Sequence, residues 1–374
     1  MFQYNKLNSE LSFFQKVKKL DFILIFCIIL LSAISLLVMY STDGGEILYH
    51  TKSHFIKLLT FFSLMMVISF FNIKIWHITS YFIYFIIILL LIWVSVYGIK
   101  VSGSQRWINL YFIVLQPSEL MKIGIILCLA KYYHRLKIEY VNSFTTIVVS
   151  LSIITIPIIL VLSQPDLGTS ILIASSGLIV LWLGGVKMKY FFISLIGFLI
   201  SLPFIISFLK PYQKMRILTF LDPDRDPLGA GYQIIQSKIA IGSGGITGKG
   251  FLKGTQSYLE FLPEKHTDFI FTLFSEEFGF VGSICLLLIY SIIIIRIIRI
   301  GAISRSNFAK LFCFGFAFAI FIYIVVNLSM VLGLLPIVGS PLPILSFGGS
   351  SLLATMIGFG IVLSAKINHK QMIA

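Results

Sequence analysis

The sequence predicts an all-α, polytopic membrane protein of about ten transmembrane helices, with one long extracytoplasmic loop and both termini cytoplasmic. Three observations lead there. Hydrophobic residues make up 58% of the 374 and charged residues only 12%, roughly half the usual share of charge. Mean hydropathy is +0.99, and 35 residues are Phe. Runs of about twenty apolar residues recur along the chain, each long enough for a hydrocarbon core of roughly 30 Å. A soluble fold of this length could not cover its surface with so few charges. A cytosolic enzyme, a disordered chain, a coiled coil and a disulfide scaffold are excluded.

The apolar runs lie near 21–41, 53–71, 75–97, 117–133, 145–163, 166–184, 189–209, 267–298, 309–333 and 341–365. The first follows Lys16, Lys18 and Lys19 as a signal peptide would, but it exceeds an h-region and no A-x-A site follows. It reads as a retained signal-anchor helix. Lys131, Arg135, Lys137, Lys187, Lys189, Arg296, Arg299, Arg305, Lys310, Lys366 and Lys370 fall on the side of the N-terminus. The opposite short loops carry Asp43, Glu46 and Asp166. This bias sets the orientation and accounts for the net charge of +14. A basic exterior also suits an anionic substrate. The charges are scattered rather than gathered on one module, so no nucleic acid is expected as a partner. Cys27, Cys128, Cys285 and Cys313 sit in apolar runs without a CxxC spacing and read as small buried hydrophobes.

The chain reads as one integral membrane domain, 1–374, whose longest loop spans about 210–266. No internal repeat is evident, which argues against an inverted-repeat transporter. The loop is not low-complexity. It holds the turns Asp222-Pro223 and Asp226-Pro227, then an amphipathic helix from Leu228 to Ile241, a glycine-rich turn, and a polar stretch leading back to the membrane. In that helix Tyr232, Ile235 and Ile239 share a face suited to lying on the outer membrane surface.

The polar stretch ends in SYLEFLPEKHTDFIF, Ser257 to Phe271. Pro263 suits a first helical turn, and Glu264 and Asp268 would then share a helix face. Asp268 is followed by Phe269, Ile270 and Phe271, where water gives way to hydrocarbon. Desolvation there raises a carboxyl pKa and makes a stronger general base. The same acids would also complement a helix dipole. Glu276 and Glu277 lie deeper and need a cavity or a partner.

A second constellation is GSQRWINLYFIVLQPSELMK, Gly103 to Lys122. Arg106 and Trp107 fall in an outer loop, and Trp suits the interface. Pro117 opens the fourth span, with Glu119 and Lys122 three apart at its outer end. They read both as a self-neutralising pair and as a polar wall, and the two are compatible. Asp166, in QPDLGT, suits an N-cap. In PLPILSFGGSS, Pro341 to Ser351, two prolines and a Gly-Gly pair break the start of the last span, which is tolerated where backbone lines a cavity. Asn327, within the ninth span, is expected to bond a neighbouring helix. IGSGGITGKGF is not a P-loop, since Ser243 stands at the first glycine position and Gly250 at the Ser/Thr position. Asn327-Leu328-Ser329 has the form of a glycosylation sequon but lies in a span.

Together these residues outline an outward-facing cavity rimmed by Arg106, Glu119, Lys122, Asp166, Glu264 and Asp268. Cations beside carboxylates suit an anionic amphiphile with a phosphate headgroup, and the acid suits deprotonation of a hydroxyl.

The motifs GSQRWI, QPSELMKI, QPDLGTS, RILTFLDPDRDPLGAGYQIIQSKIAIGSGGITGKGFLKGTQSYLEFLPEKHTDFIF and LLPIVGSPLPILSFGGSS strongly resemble the SEDS family (shape, elongation, division and sporulation). The loop wording is most similar to its elongation branch. The resemblance covers about Gly103 to Ser351 and implies a ten-helix peptidoglycan glycosyltransferase of the bacterial plasma membrane, polymerising lipid II onto a nascent glycan strand. It implies that the 4-hydroxyl of the incoming sugar attacks the donor's anomeric carbon, with inversion and release of undecaprenyl pyrophosphate. It places the essential acid at Asp268, as general base, and essential polar residues at Arg106, Glu119 and Lys122. Trp107, Asp166, Glu264 and His266 match motif positions. A divalent cation, Mg or Mn, could assist the pyrophosphate, but no metal-ligand cluster stands out in the sequence. The implied partners are a class B penicillin-binding protein, since no transpeptidase domain is present, and other membrane proteins of the elongation machinery. The competing readings are a lipid II flippase and a non-catalytic scaffold. A flippase should carry charges along a transverse path, whereas here the inner halves of the spans hold almost no acids.

Overall fold

The computed structural model describes residues 12–101, 104–109, 114–208, 211–226, 229–255 and 264–373. After a short amphipathic α1 (Phe13–Lys18) come α2 (Phe22–Thr42), α3 (Tyr49–Phe70) and α4 (Ile73–Tyr97). Strands β1 (Ile99–Val101), β2 (Ser104–Asn109) and β3 (Val114–Leu115) form a small antiparallel sheet in order β1-β2-β3. Then follow α5 (Pro117–His134), α6 (Phe144–Ser163), α7 (Leu167–Leu183), α8 (Met188–Phe208), α9 (Pro211–Leu221) and α10 (Ala230–Ser243). The chain closes with α11 (Ile270–Ile303), α12 (Asn307–Val331) and α13 (Gly349–Ile367). Among the described residues, seven helices are long and apolar enough to cross a membrane. The protein is a multi-pass, all-α membrane protein. Every apolar run read from the sequence coincides with a helix.

The helix starts are written locally. Asp21 caps α2 through Leu24 N at 3.0 Å, Asn72 caps α4 through Lys74 N at 2.9 Å, and Asp166 caps α7 through Thr169 N at 3.1 Å. Such caps satisfy backbone donors that no membrane solvent would satisfy. Helices α5, α12 and α13 form the interior. In α5 nearly every residue is buried, so its charges must find protein partners. Phe312, Phe316 and Phe359 stack at the α12–α13 contact, the last pair edge-to-face at 5.3 Å. Peripheral helices turn large apolar side chains outward, as α8 does with Phe192, Ile193, Leu199 and Phe204. Cys285 is exposed on α11, against the expectation that all four cysteines are buried. It faces outward because lipid, unlike water, accepts a small apolar side chain.

Several sequence expectations need correction. The last span starts at Gly349 rather than near 341. Pro341 and Pro343 supply no amide hydrogen for a helix, and the chain instead turns, with Ser346 N donating to Leu342 O and Leu342 N to Ser346 Oγ. The loop helix runs Ala230–Ser243; Pro227 and Leu228 lie outside the described residues. The face that it docks on the bundle is Ile234, Ser237 and Ala240, which leaves Ile239 exposed. Ser237 Oγ donates to Val331 O at 2.7 Å and lies 2.8 Å from Thr272 Oγ1. Hydrogen bonds to α11 and α12 choose this docked face. The helix expected to open at Pro263 begins at Ile270, and Pro263 itself lies outside the described residues.

The glycine-rich segment takes a role that its wording hides. Helix α11 is broken at Gly279, where φ is 66° and ψ −162°. Phe280 N and Val281 N donate to Gly245 O and Ile246 O, and Lys249 N and Gly250 N donate to Glu276 O and Glu277 O. The loop thereby satisfies the backbone groups that the break orphans. A Cβ on Gly279 would sit 2.3 Å from Gly248 N. Gly279→Ala is expected to undo this splice, with about 1–3 kcal/mol from backbone strain alone and a lower melting temperature in detergent; an unchanged melting temperature would refute it. Glu276 and Glu277, expected to need partners, have them. Lys249 Nζ and Thr255 N donate to Glu276 Oε1 at 2.6 and 2.9 Å, and Ser41 Oγ donates to Glu277 Oε1.

Candidate active site

At one end of the bundle a cavity of about 510 Å³ opens between the sheet, the helix starts and the returning loop. Arg106 and Trp107 from β2, Gln116 before α5 and Glu119 in its first turn form one wall. Asp166 and Thr169 at the start of α7 form a second. Arg216 of α9 and Gln233 of α10 form a third. Glu264, Thr267, Asp268 and Phe269 close the fourth, beneath the 337–351 segment. Asp166, read as an N-cap, does cap α7 and also faces this cavity.

Arg106 is fixed rather than free. Its Nε donates to Gln164 O at 3.0 Å, its Nη2 donates to Pro165 O, and its Nη1 lies 3.5 Å from Asp166 Oδ2. The same Asp166 oxygen accepts from Gln116 Nε2 at 3.0 Å. A planar guanidinium held by three groups keeps its orientation.

Glu119 and Lys122 meet at 2.7 Å, as their spacing suggests. Glu119 also accepts from Tyr323 OH at 2.9 Å, and Lys122 Nζ lies 4.1 Å over the Tyr323 ring. Only Glu119 lines the cavity. Lys122 is 2% exposed and lies behind it, so its charge reaches the cavity through Glu119.

Glu264 to Phe269 is a turn, not a helical face. Thr267 N and Phe269 N both donate to Glu264 O. The turn still carries Glu264 and Asp268 to the same cavity. Asp268 is partly buried, and its carboxyl pKa is pushed up to about 7. Burial is the main cause, and the Glu264 charge adds to it. Arg216 opposes the rise, and Glu119 and Asp166 add smaller contributions. The backbone of Asp268 is tethered by Asn327, whose Nδ2 donates to Asp268 O at 2.8 Å and to Ser340 O at 2.7 Å. Asn327 therefore bonds two loops, not the neighbouring helix expected from its place in a span. Gly339, at φ 68°, backs the acid, since a Cβ there would lie 3.4 Å from Asp268 Oδ2.

His266 lies off the cavity. Its Nδ1 is 3.0 Å from Thr42 Oγ1, and its ring stacks on His50 at 4.0 Å. Burial, then the charges of His50 and Lys265, lower its pKa to about 4, against a smaller raising effect of Asp43. Asp43, His50 and His266 each bring a ligand atom within 4.8 Å of the others, a grouping that the sequence spacing does not reveal. Asp43 Oδ2 already accepts from Thr51 N and Oγ1. The parallel rings would leave an ion between them out of both imidazole planes. These residues could hold a divalent cation only by unstacking; as they stand, they lock the turn before α11 to the α2–α3 hairpin.

Arg216, Gln116, Thr169 and Gln233 line the cavity without having been singled out as site residues in the sequence. Arg216 is the second guanidinium of the cavity and donates through Nη1 to Ile337 O at 3.0 Å. Its signal is slight, one cation in an outer helix just before DPDRDP. Gln116 could have been found from its place before Pro117, next to Glu119.

Fold and cavity define a polytopic membrane protein with a polar, partly charged site opening at one membrane face. The chain belongs to the FtsW/RodA/SpoVE family of cell cycle proteins, whose profile matches residues 19–371. It is 46% identical over 292 residues to the peptidoglycan glycosyltransferase MrdB of Escherichia coli K12, covering 78% of each chain. It is 33% identical over 355 residues to the stage V sporulation protein E of Bacillus subtilis, covering 92% of this chain and 96% of that one. A chain from a peptidoglycan synthase complex, solved to describe the coordination of polymerization and crosslinking, superposes with a TM-score of 0.80 at 31% identity, covering 93% of this chain and 97% of that one. The rod shape determining protein RodA of Thermus thermophilus superposes with a TM-score of 0.70 at 25% identity, covering 94% and 98%.

Proposed function

We propose that this chain, a peptidoglycan glycosyltransferase, extends glycan strands from lipid II in the outward cavity, with Asp268 as general base. The observation that carries the reading is the meeting of one partly buried acid with two guanidinium groups, Arg106 and Arg216, in a cavity at the membrane edge. The 4-hydroxyl of the incoming lipid II sugar loses its proton to Asp268 and attacks the anomeric carbon of the growing chain. The bond to pyrophosphate breaks, undecaprenyl pyrophosphate leaves, and α becomes β-1,4. An in-line displacement of this kind needs the base opposite the leaving group, as in inverting glycosidases. Charge grows on the departing pyrophosphate, and fixed cations stabilise it without reorganising. Arg106, already oriented, and Arg216 suit that role. Trp107 gives the sugars an apolar face to rest on, and Glu264 keeps Asp268 basic. Lys122 orients Glu119, and His266 holds the loop that carries the base.

The enzyme works in the bacterial plasma membrane, where its long prenyl substrates reside. Its product needs cross-linking, and the synthase complex among its structural relatives supports a class B penicillin-binding protein as partner, with other elongation proteins around it.

The test is polymerisation of lipid II by the purified chain together with its transpeptidase partner. Polymer with release of undecaprenyl pyrophosphate is expected; translocation of lipid II without polymer would favour a flippase. The rate should carry a pH signature. Asp268 works only when ionised, so kcat/KM should rise through about pH 7 and fall about tenfold per unit below it. The sign for stability is opposite. The folded chain holds the Asp268 proton more tightly than the unfolded chain, so this contribution is lost as pH rises from about 4 through about 7. Melting temperature and rate measured on one pH series should therefore diverge in that window, and a rate flat from pH 6 to 8 would count against Asp268.

A further inference from the structure

At the opposite end of α2 from the cavity lies a second pocket, of about 380 Å³, on the basic face of the bundle. Its walls come from four helices, two of them far from the N-terminus in sequence. Lys18 ends α1 and Lys19 follows it, Arg296 stands in the last third of α11, and Lys366 and His369 lie at and beyond the end of α13. Asp21 is the one acid in the lining among the described residues, and it is fully engaged. Arg296 donates to both of its oxygens, at 3.1 and 2.5 Å, and Oδ1 also caps α2 through Leu24 N. Asp21 is 2% exposed, so its charge is hidden as well as matched.

Among the described residues no acid is left to match the three lysines. None of Lys18, Lys19 and Lys366 has an ion-pair partner among the described residues. His369 registers the resulting field. Burial lowers its pKa, a hydrogen bond to Lys366 O opposes this, and the charges of Lys366, Lys19 and Lys370 lower it further. Like charges gathered without an acid cost stability unless an anion joins them.

The remaining wall identifies the anion's class. Phe22 and Ile23 line the same pocket and are 60% and 52% exposed, opening α2 toward hydrocarbon. A soluble phosphate would answer the lysines and leave these side chains uncovered. A molecule with a phosphate head and acyl tails answers both. Basic pockets between helix ends on the cytoplasmic side of a membrane bind anionic headgroups in this way.

We propose that the pocket formed by Lys18, Lys19, Lys366 and the Asp21–Arg296 pair is a binding site for one anionic glycerophospholipid of the cytoplasmic leaflet, with its phosphate among the lysines and its tails along Phe22 and Ile23. The site lies apart from the glycan-forming cavity and does not rest on the reading of that cavity. Its occupant would tie α1, α2, α11 and α13 together at their cytoplasmic ends.

The experiment is native mass spectrometry of the purified full-length chain titrated with phosphatidylglycerol or with phosphatidylcholine of the same acyl chains. One phosphatidylglycerol should bind with clear preference. The variant Lys18→Gln/Lys19→Gln/Lys366→Gln should bind it on the order of 100-fold more weakly, the combined effect of three basic side chains near the membrane surface. The variant Lys137→Gln/Lys187→Gln/Lys189→Gln removes equal charge from the same face outside the pocket and should bind as the wild type does. Should the first triple variant fail to fold, Lys366→Gln alone carries the test, with a loss of about fivefold expected. Equal binding of both lipids, equal losses in the two triple variants, or displacement of the lipid by millimolar inorganic phosphate would overturn the proposal.

Discussion

Asp268→Asn is expected to reduce glycan synthesis by about 10²–10⁴-fold, the usual contribution of a general base. Asparagine keeps the size of the side chain and most of its hydrogen bonding, but it cannot take the proton of the attacking hydroxyl. The fold should not suffer. Asn327 holds Asp268 through its backbone carbonyl, which the substitution leaves in place. Removing an acid whose ionised form is disfavoured by burial should leave the melting temperature equal or higher at neutral pH. Lipid II binding and association with the transpeptidase should persist. The decisive comparison is polymerisation, ligand binding and thermal stability on the same preparations of wild type and variant. Near-normal polymer from Asp268→Asn would remove Asp268 as the base.

Lys122→Met is expected to lose most activity and, unlike Asp268→Asn, to lose stability as well. Breaking a buried ion pair by removing one partner costs about 3–5 kcal/mol, because the other charge is left uncompensated. Here the remaining Glu119 is 3% exposed and would keep, among the described residues, only the Tyr323 hydroxyl as a side-chain donor. Glu119→Gln should fail in the complementary way, leaving the Lys122 ammonium over the Tyr323 ring without its anion. The double variant Glu119→Gln/Lys122→Met removes both charges and should regain much of the melting temperature, since a neutral pair of similar size is often tolerated. It should not regain activity, because the cavity still lacks the Glu119 charge. A double-mutant cycle on melting temperature separates the outcomes. Simple additivity, with each single variant near wild type, would reject the coupling.

What the sequence determined by itself is what depends on neighbours in the chain. The spans were legible because a bilayer demands about twenty apolar residues in a row, and helices hold their hydrogen bonds internally. The Asp166 cap and the Glu119–Lys122 pair were legible because three-residue spacings on a helix fix geometry before any packing. Asp268 stood out because the residues after it are apolar, which already sets its dielectric surroundings. What only the tertiary structure decided is what depends on which elements meet. Arg216 reaches the cavity because α9 folds back over the 337–339 segment. Lys122 and His266 sit in motifs with the cavity residues, yet packing turns one behind Glu119 and the other toward His50. The docked face of α10 is not legible in hydropathy, which ranks Ser237 as solvent-facing, whereas Thr272 and the carbonyl of Val331 make its burial favourable. The glycine-rich segment resembled a nucleotide loop in wording alone; its partner, the broken turn at Gly279, lies about thirty residues away and becomes visible only where the two backbones meet. Local spacing fixes a side chain's position on its own helix, but hydrogen bonds and charges are satisfied between helices, and in a membrane no water stands in for a missing partner.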